Sequence, residues 1–219
     1  MNKKIAVVER RIAVPTRVQI DVFGGYKPEG ERTVDRVVAK ENRTLKRLRG
    51  VFRRFSRLAR EYGDQFDEIY WYTHNPLDRM VRGIDYSAKD VMNLSLALSE
   101  FREEKNFGSY AGLFISTLVN NSPEQEFTII TEHLVPIHFL GFKNRKAITI
   151  RGDVGLAVGY EMKGGTITVT GNAGAQIGAG MESGTIHLEG SFDAVPNPQG
   201  TGSIYHKGVP LVLEGKWVG

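Results

Sequence analysis

A repeat of 19 residues occupies the C-terminal third of the chain and constrains its fold more than any other feature. Residues 148–166 read ITIRGDVGLAVGYEMKGGT, and residues 167–185 read ITVTGNAGAQIGAGMESGT. Glycines recur in register at four positions, pairing Gly152 with Gly171, Gly155 with Gly174, Gly159 with Gly178 and Gly165 with Gly184. A fixed period near 20 residues with glycine at constant offsets is typical of a solenoid.

Each unit opens with an alternating segment, x-I-x-V-x-G, that predicts a strand with its β-branched residues on one face. Stacking such coils about 4.8 Å apart pairs every strand with its equivalents above and below. We therefore predict a short right-handed parallel β-helix of about three coils of 19 residues. Its inward ladders would be Ile148, Ile167, Ile186 and Leu211, and Ile150, Val169, Leu188 and Leu213.

Two further partial copies follow the complete ones. The third begins as IHLEG at residues 186–190, and a fourth begins as LVLEG at residues 211–215. The longer interval between them predicts an insertion in the third coil, which we place in the Pro/Gly/Asn-rich stretch Val195–Gly202. Further rows would stack Val158 over Ile177, Met162 over Met181, Val154 over Ala173 and Leu156 over Ala175.

The repeat resembles the GXGXG-motif β-helix family over about residues 140–215. The resemblance is carried by GDVG at 152–155, GNAG at 171–174, the two M-x-x-G segments and LGF at 140–142. Members include the C-terminal domain of the large subunit of glutamate synthase and one of the subunits of formylmethanofuran dehydrogenase. The resemblance implies a β-helix with a structural and interface role, while redox and amidotransfer chemistry belongs to other domains or subunits.

A shift in glycine content predicts the domain boundary. Seventeen of the 25 glycines lie after residue 140, which favours an α+β domain at 1–139 and the β-helix at 140–219. In the first domain we predict strands at Lys4–Val8, Arg11–Val14, Arg17–Phe23, Glu68–Thr73, Phe127–Thr131 and Leu134–Phe139. We predict helices at 33–62, at 87–104 behind a Ser87/Asp90 capping box, and at Ser109–Val119.

The first predicted helix carries the basic character of the chain. Residues 32–60 hold eleven Lys/Arg and two acids, whereas the whole chain has a net charge of +4. Six arginines lie off the apolar stripe and are candidates for binding an anion or a partner: Arg43, Arg47, Arg53, Arg54, Arg57 and Arg60. The interpretation we favour is a solvated helix face paired with Asp64, Asp67 and Glu68.

Nothing in the sequence indicates a catalytic, cofactor or metal site. The chain has no cysteine, which excludes disulfides, thiolate metal sites and a cysteine nucleophile. The histidines, at 74, 133, 138, 187 and 206, show no i,i+4 helical pair. The segment at 108–112, GSYAG, has its serine in the wrong place for a G-x-S-x-G elbow, so we interpret it as part of a packed helix. GDVGLAVG lacks the following helix of a dinucleotide loop.

These observations favour a structural or protein-interaction module without catalytic residues of its own, acting as a subunit or accessory protein of a larger, redox or glutamate-synthase-like assembly. The alternatives are a nucleic-acid or anion-binding protein using the helix at 36–60, and an enzyme with a site between the domains. The charged N-terminus and the absence of long apolar runs lead us to expect a cytoplasmic protein without membrane association. With so few coils, we expect self-association or a protein partner at residues 205–219.

Overall fold

The computed structural model describes residues 31–62, 76–196, 198 and 200–218, with side chains described for all of these except residues 31–42 and 62. Within these residues four α-helices come first: α1 (Glu31–Tyr62), α2 (Pro76–Val81), α3 (Ala88–Ala97) and, after a 3-10 helix at Leu98–Phe101, α4 (Phe107–Asn121). Seven strands follow: β1 (Glu126–Ile130), β2 (Ala147–Arg151), β3 (Lys163–Val169), β4 (Ser183–Leu188), β5 (Ser203–His206), β6 (Val209–Leu213) and β7 (Lys216–Trp217). They form one sheet in chain order.

The first five strands are parallel and stack as the repeat predicts. Ile148 pairs with Ile167 and Ile167 with Ile186, while Ile150 pairs with Val169 and Val169 with Leu188. All of these side chains are buried, and the bridge between Val154 and Ala173 lies on another wall of the coil. The β-helix prediction is therefore confirmed, with about four turns in the stack.

The stack gains its extra turn at the N-terminal side, where the glycine signature is missing. Strand β1 pairs in parallel with β2, which places Phe127 below Ile148 and Ile129 below Ile150. The chain returns to β2 through a corner at residues 139–143, in which Phe139, Gly141 and Lys143 have φ of 58°, 79° and 52°. The segment Leu134–Phe139, predicted as a strand, is not one, although His138 N–H and Phe139 N–H bond across to Gly108 O and Leu156 O.

The predicted fourth copy is wrong. The next parallel strand after β4 is β5, in which Ile204 pairs with Ile186 and His206 with Leu188. Residues 211–213 instead belong to β6, which pairs antiparallel with β5, and residues 214–215 form the turn that follows. Leu211 and Leu213 therefore do not join the ladders. No insertion is needed at 195–202, because the third coil closes directly into β5. The predicted stacking of Leu156 over Ala175 is also wrong, because the side chain of Leu156 is exposed.

Two tight turns explain the reversal. Lys207 and Gly208 have φ of 49° and 77°, and Glu214 and Gly215 have φ of 48° and 76°. Positive φ at two successive residues is the requirement of the type I′ hairpin turn, whose twist matches that of antiparallel strands. The chain therefore folds back twice, and β6 and β7 form a cap over the last coil.

The repeat glycines occupy two kinds of position. Five have positive φ, and three lie where a neighbouring coil or side chain leaves no room for a Cβ atom. The first group is Gly152, Gly159, Gly165, Gly178 and Gly184, and the second is Gly155, Gly171 and Gly174.

The helices cover the N-terminal end of the solenoid, at β1 and the first corner. Helix α3 begins with the predicted capping box between Ser87 and Asp90, and it packs along β1, where Ser95 Oγ accepts the Ile130 N–H at 3.1 Å. Helix α4 docks on the first corner, where Ser116 Oγ accepts the Gly141 N–H at 2.9 Å. Helix α1 runs unbroken through Gly50. The four predicted strands before residue 74 lie outside the described residues.

His138 joins α4 to the second coil. Its Nδ1 accepts the Leu156 N–H at 2.9 Å, and its ring lies against Gly155 and Gly108. Because Nδ1 must stay unprotonated to accept this bond, and because burial lowers the pKa of His138 below its ordinary 6.5, the fold favours the neutral ring.

This arrangement predicts a dependence of stability on pH. A histidine whose pKa is lowered by folding contributes stability that is present above about pH 6.5 and is lost as the pH falls below that value. In His138→Asn, the amide Oδ1 can accept the same N–H without titrating. Urea unfolding between neutral and mildly acidic pH should therefore show a smaller loss of stability in His138→Asn than in the wild type. If the wild type and His138→Asn lose the same amount of stability on acidification, protonation of His138 is not the cause of the loss.

Candidate functional site: a basic helix face and an apolar cap

Helix α1 is amphipathic, and its two faces have different surroundings. Leu48, Phe52, Phe55 and Ala59 are buried in the core, where Phe52 makes edge contacts with Phe101 and Phe107. The opposite face is exposed. It carries Gly50, Glu61 and seven cationic side chains, namely Arg43, Lys46, Arg47, Arg53, Arg54, Arg57 and Arg60.

All six predicted arginines therefore lie on one exposed face, together with Lys46, which was not among the predicted residues. Its position one residue before Arg47 and seven before Arg53 would have placed it there by helical spacing. Arg49, which was also not among the predicted residues, lies at the edge of this face. Its guanidinium binds both carboxylate oxygens of Glu100, which raises the pKa of Arg49.

Acids of the neighbouring segment neutralise only one flank of the helix. Besides Arg49 with Glu100, Arg60 Nη2 lies 3.9 Å from Glu104 Oε2, and the Arg53 guanidinium lies 5.4 Å from the centre of the Phe101 ring. The acids that we expected as partners, Asp64, Asp67 and Glu68, lie outside the described residues.

Five cations on the other flank form what we call the basic face: Arg43, Lys46, Arg47, Arg54 and Arg57. None of them makes an ion pair with a side chain of residues 43–61, 76–196, 198 or 200–218.

The second unusual surface is the apolar cap, which we define as residues 209–218. Seven large apolar side chains are exposed among residues 43–61, 76–196, 198 and 200–218, and four of them lie in the apolar cap. Val209 is 63% exposed, Val218 52%, Trp217 47% and Leu213 42%. Strand β7 ends the sheet, so its outer edge has no strand partner within the described residues.

The histidines of the described chain have roles in packing. His133 Nε2 lies 3.0 Å from Leu96 O, His206 Nε2 lies 3.0 Å from Gly190 O, and His187 stacks on Tyr205 with ring centres 5.2 Å apart. Across residues 76–196 and the other described segments, no three His, Asp or Glu side chains come together in a way that could hold a metal ion. His74 lies outside the described residues.

The GSYAG segment forms the start of α4, as the packed-helix interpretation predicts. Gly108 and Gly112 face the backbone of Pro136 and His138, so the absence of side chains lets the helix approach the first coil. None of the helices described is both long enough and apolar enough to span a membrane.

Comparison of the chain with protein-family models, with curated proteins and with solved structures found no match. The resemblance to the GXGXG-motif family therefore stays a prediction from the repeat.

Proposed function

We propose that this protein is a protein-interaction module that associates through the apolar cap, first of all with a second copy of itself. The observation that carries this proposal is the concentration of exposed Val209, Leu213, Trp217 and Val218 at one end of the solenoid. Clustered apolar side chains on a protein surface commonly mark a site of association, because burying them removes apolar area from water.

The difference between the two ends of the stack supports the same conclusion. Strand β1 is covered by α3, and the Ile130 N–H, which would otherwise face outward, donates to Ser95 Oγ. At the other end, the described residues supply the short hairpin β6–β7, and both residues of β7 are exposed. An uncovered strand edge beside apolar side chains favours pairing with another chain.

The finer proposal comes from the resemblance in the repeat. In the GXGXG-motif family the β-helix has an interface role in a multi-subunit, redox or amidotransfer assembly. By that analogy we propose that this chain is a subunit or accessory protein of such an assembly, with the chemistry performed by its partners.

The double variant Val209→Glu/Trp217→Glu tests the role of the apolar cap. Placing two carboxylates at a dry interface leaves charges without partners, so we expect self-association to weaken by about a hundredfold or more. Both side chains are exposed in the single chain, so the melting temperature of the isolated chain should change little. Sedimentation equilibrium gives the association constant.

The matched control is Val135→Glu/Leu156→Glu. Val135 and Leu156 are each 45% exposed and lie outside the apolar cap. The control therefore also replaces two exposed apolar side chains with glutamate. We expect the control to associate like the wild type. If both double variants weaken association equally, the interface is not at the apolar cap.

A further inference from the structure

The basic face of α1 is held in a fixed arrangement by the packing beneath it. Leu48, Phe52 and Phe55 are buried, and the ring of Phe52 lies 5.4 Å from that of Phe114 in α4. The five cations from Arg43 to Arg57 therefore project from a rigid helix along about 20 Å of its axis. Between residues 43 and 61 the exposed face carries a single acid, Glu61, against these five cations, and this excess of positive charge indicates a partner that supplies negative charge.

We infer that the basic face binds the phosphate backbone of double-stranded nucleic acid without reading its sequence. A duplex carries one negative charge for about every 1.7 Å of its axis, so about 20 Å offers a phosphate for each of the five cations. Four of the five are arginines, whose planar guanidinium groups bind phosphate oxygens in pairs. Contacts of this kind position a protein on a duplex but carry no sequence information.

The side chains around the basic face favour a duplex over single strands. Binding of single strands typically uses aromatic side chains on which bases stack. The exposed face of α1 between residues 43 and 61 has no aromatic side chain, because Phe52 and Phe55 point into the core. A helix face with cationic and no aromatic side chains can bind the regular phosphate backbone of a duplex, but it offers no surface on which unpaired bases could stack.

The same helix is poorly suited to a lipid surface. A helix that lies on a membrane inserts its apolar face among the acyl chains. In α1 that face is used by the protein core, and none of the apolar side chains between residues 43 and 61 is exposed.

The experiment measures binding of the full-length protein to a short fluorescent duplex as a function of salt concentration. Each phosphate contact contributes about −0.9 to the slope of log K against log salt, so five contacts predict a slope of about −4.5. In Arg47→Gln/Arg54→Gln/Arg57→Gln the slope should fall to about −1.8, and affinity at low salt should fall by about tenfold or more. Glutamine keeps high helix propensity, and circular dichroism checks that α1 is retained.

The control variant is Arg145→Gln/Arg151→Gln/Lys207→Gln, which removes the same charge from exposed positions of the solenoid. It should bind the duplex nearly as the wild type does, with the same slope. DNA and RNA duplexes are tested side by side, and comparable slopes on both support backbone recognition.

Three results would overturn the inference: equal loss of binding in the two triple variants, tighter binding to a single strand than to the duplex, or displacement of the duplex by anionic phospholipid vesicles. The test is independent of the proposed association, because neither triple variant changes a residue of the apolar cap.

Discussion

Ile167→Asp should abolish folding of the solenoid. The side chain of Ile167 is fully buried between Ile148 below and Ile186 above. Burying a carboxylate there without a partner costs several kcal/mol, which is comparable with the whole stability of a domain of this size. We expect loss of the cooperative unfolding transition by circular dichroism and a strong shift to insoluble protein on expression.

The neighbouring substitution Thr168→Asp is the matched control. Thr168 pairs with Thr149 and His187 on the outer face of the same strand and is only partly buried. An outward carboxylate meets solvent, so the cost should stay within about 1 kcal/mol, the range of strand propensity. If both variants fold equally well, the assignment of inner and outer faces in β3 is wrong.

Gly174→Val should be the second strongly destabilising change. A Cβ atom at Gly174 would lie 2.9 Å from the carbonyl carbon of Gly155 and 3.0 Å from its oxygen. These are backbone atoms of the coil below, held by the bond from Gly174 N–H to Gly155 O, so they cannot move aside without separating the coils. We expect a loss of about 3 kcal/mol or more, measured by chemical denaturation.

Gly178→Val should destabilise the protein for a different reason. Gly178 has φ of 64°, a left-handed conformation that a β-branched residue adopts only at high cost. The control for both is Gly50→Val, because a Cβ atom on Gly50 would meet nothing within 4 Å and valine has the higher helix propensity. Gly50→Val should therefore be neutral or slightly stabilising. A Gly174→Val protein as stable as Gly50→Val would contradict the close stacking of the coils.

The repeat predicted the middle of the solenoid well because three physical signals coincide there. Alternation placed Ile148, Ile167 and Ile186 inward, the 19-residue period aligned them, and glycines marked the tight positions. The three predicted helices followed from apolar spacing and from the Ser87/Asp90 capping box. The second ends as an α-helix at Ala97 and not at 104, and the short helix α2 was not predicted.

The ends of the stack were harder to predict, because only part of the signal remains. The first corner has the same backbone as the corner of the next coil, since Phe139, Gly141 and Lys143 match Ala157, Gly159 and Glu161 at positive φ. Of the glycines that mark the repeat, only Gly141 is present in it, so the sequence signal there is weak. At the other end, SIYHKG at 203–208 continues TIHLEG at 185–190, but LVLEG matched the letters of IHLEG more closely. Lys207-Gly208 forms the hairpin turn at positive φ, whereas the equivalent pair Glu189-Gly190 continues the coil, so the letters alone did not mark the reversal.

The two surfaces also differ in how far the sequence reveals them. Helical spacing alone places the cations of α1 on one exposed face. It does not reveal which of them are paired, because Arg49 and Arg60 pair with Glu100 and Glu104, which are distant in sequence. The exposure of Val209 and Trp217 depends on the antiparallel reversal, which the sequence analysis had misassigned.

The central claim is that the apolar cap is an interface. Multi-angle light scattering on the purified protein, over a concentration series up to its solubility limit, tests this claim most directly. Association predicts a mass that rises with concentration to a whole multiple of 24.4 kDa. A constant mass of 24.4 kDa at every concentration would contradict self-association through the apolar cap.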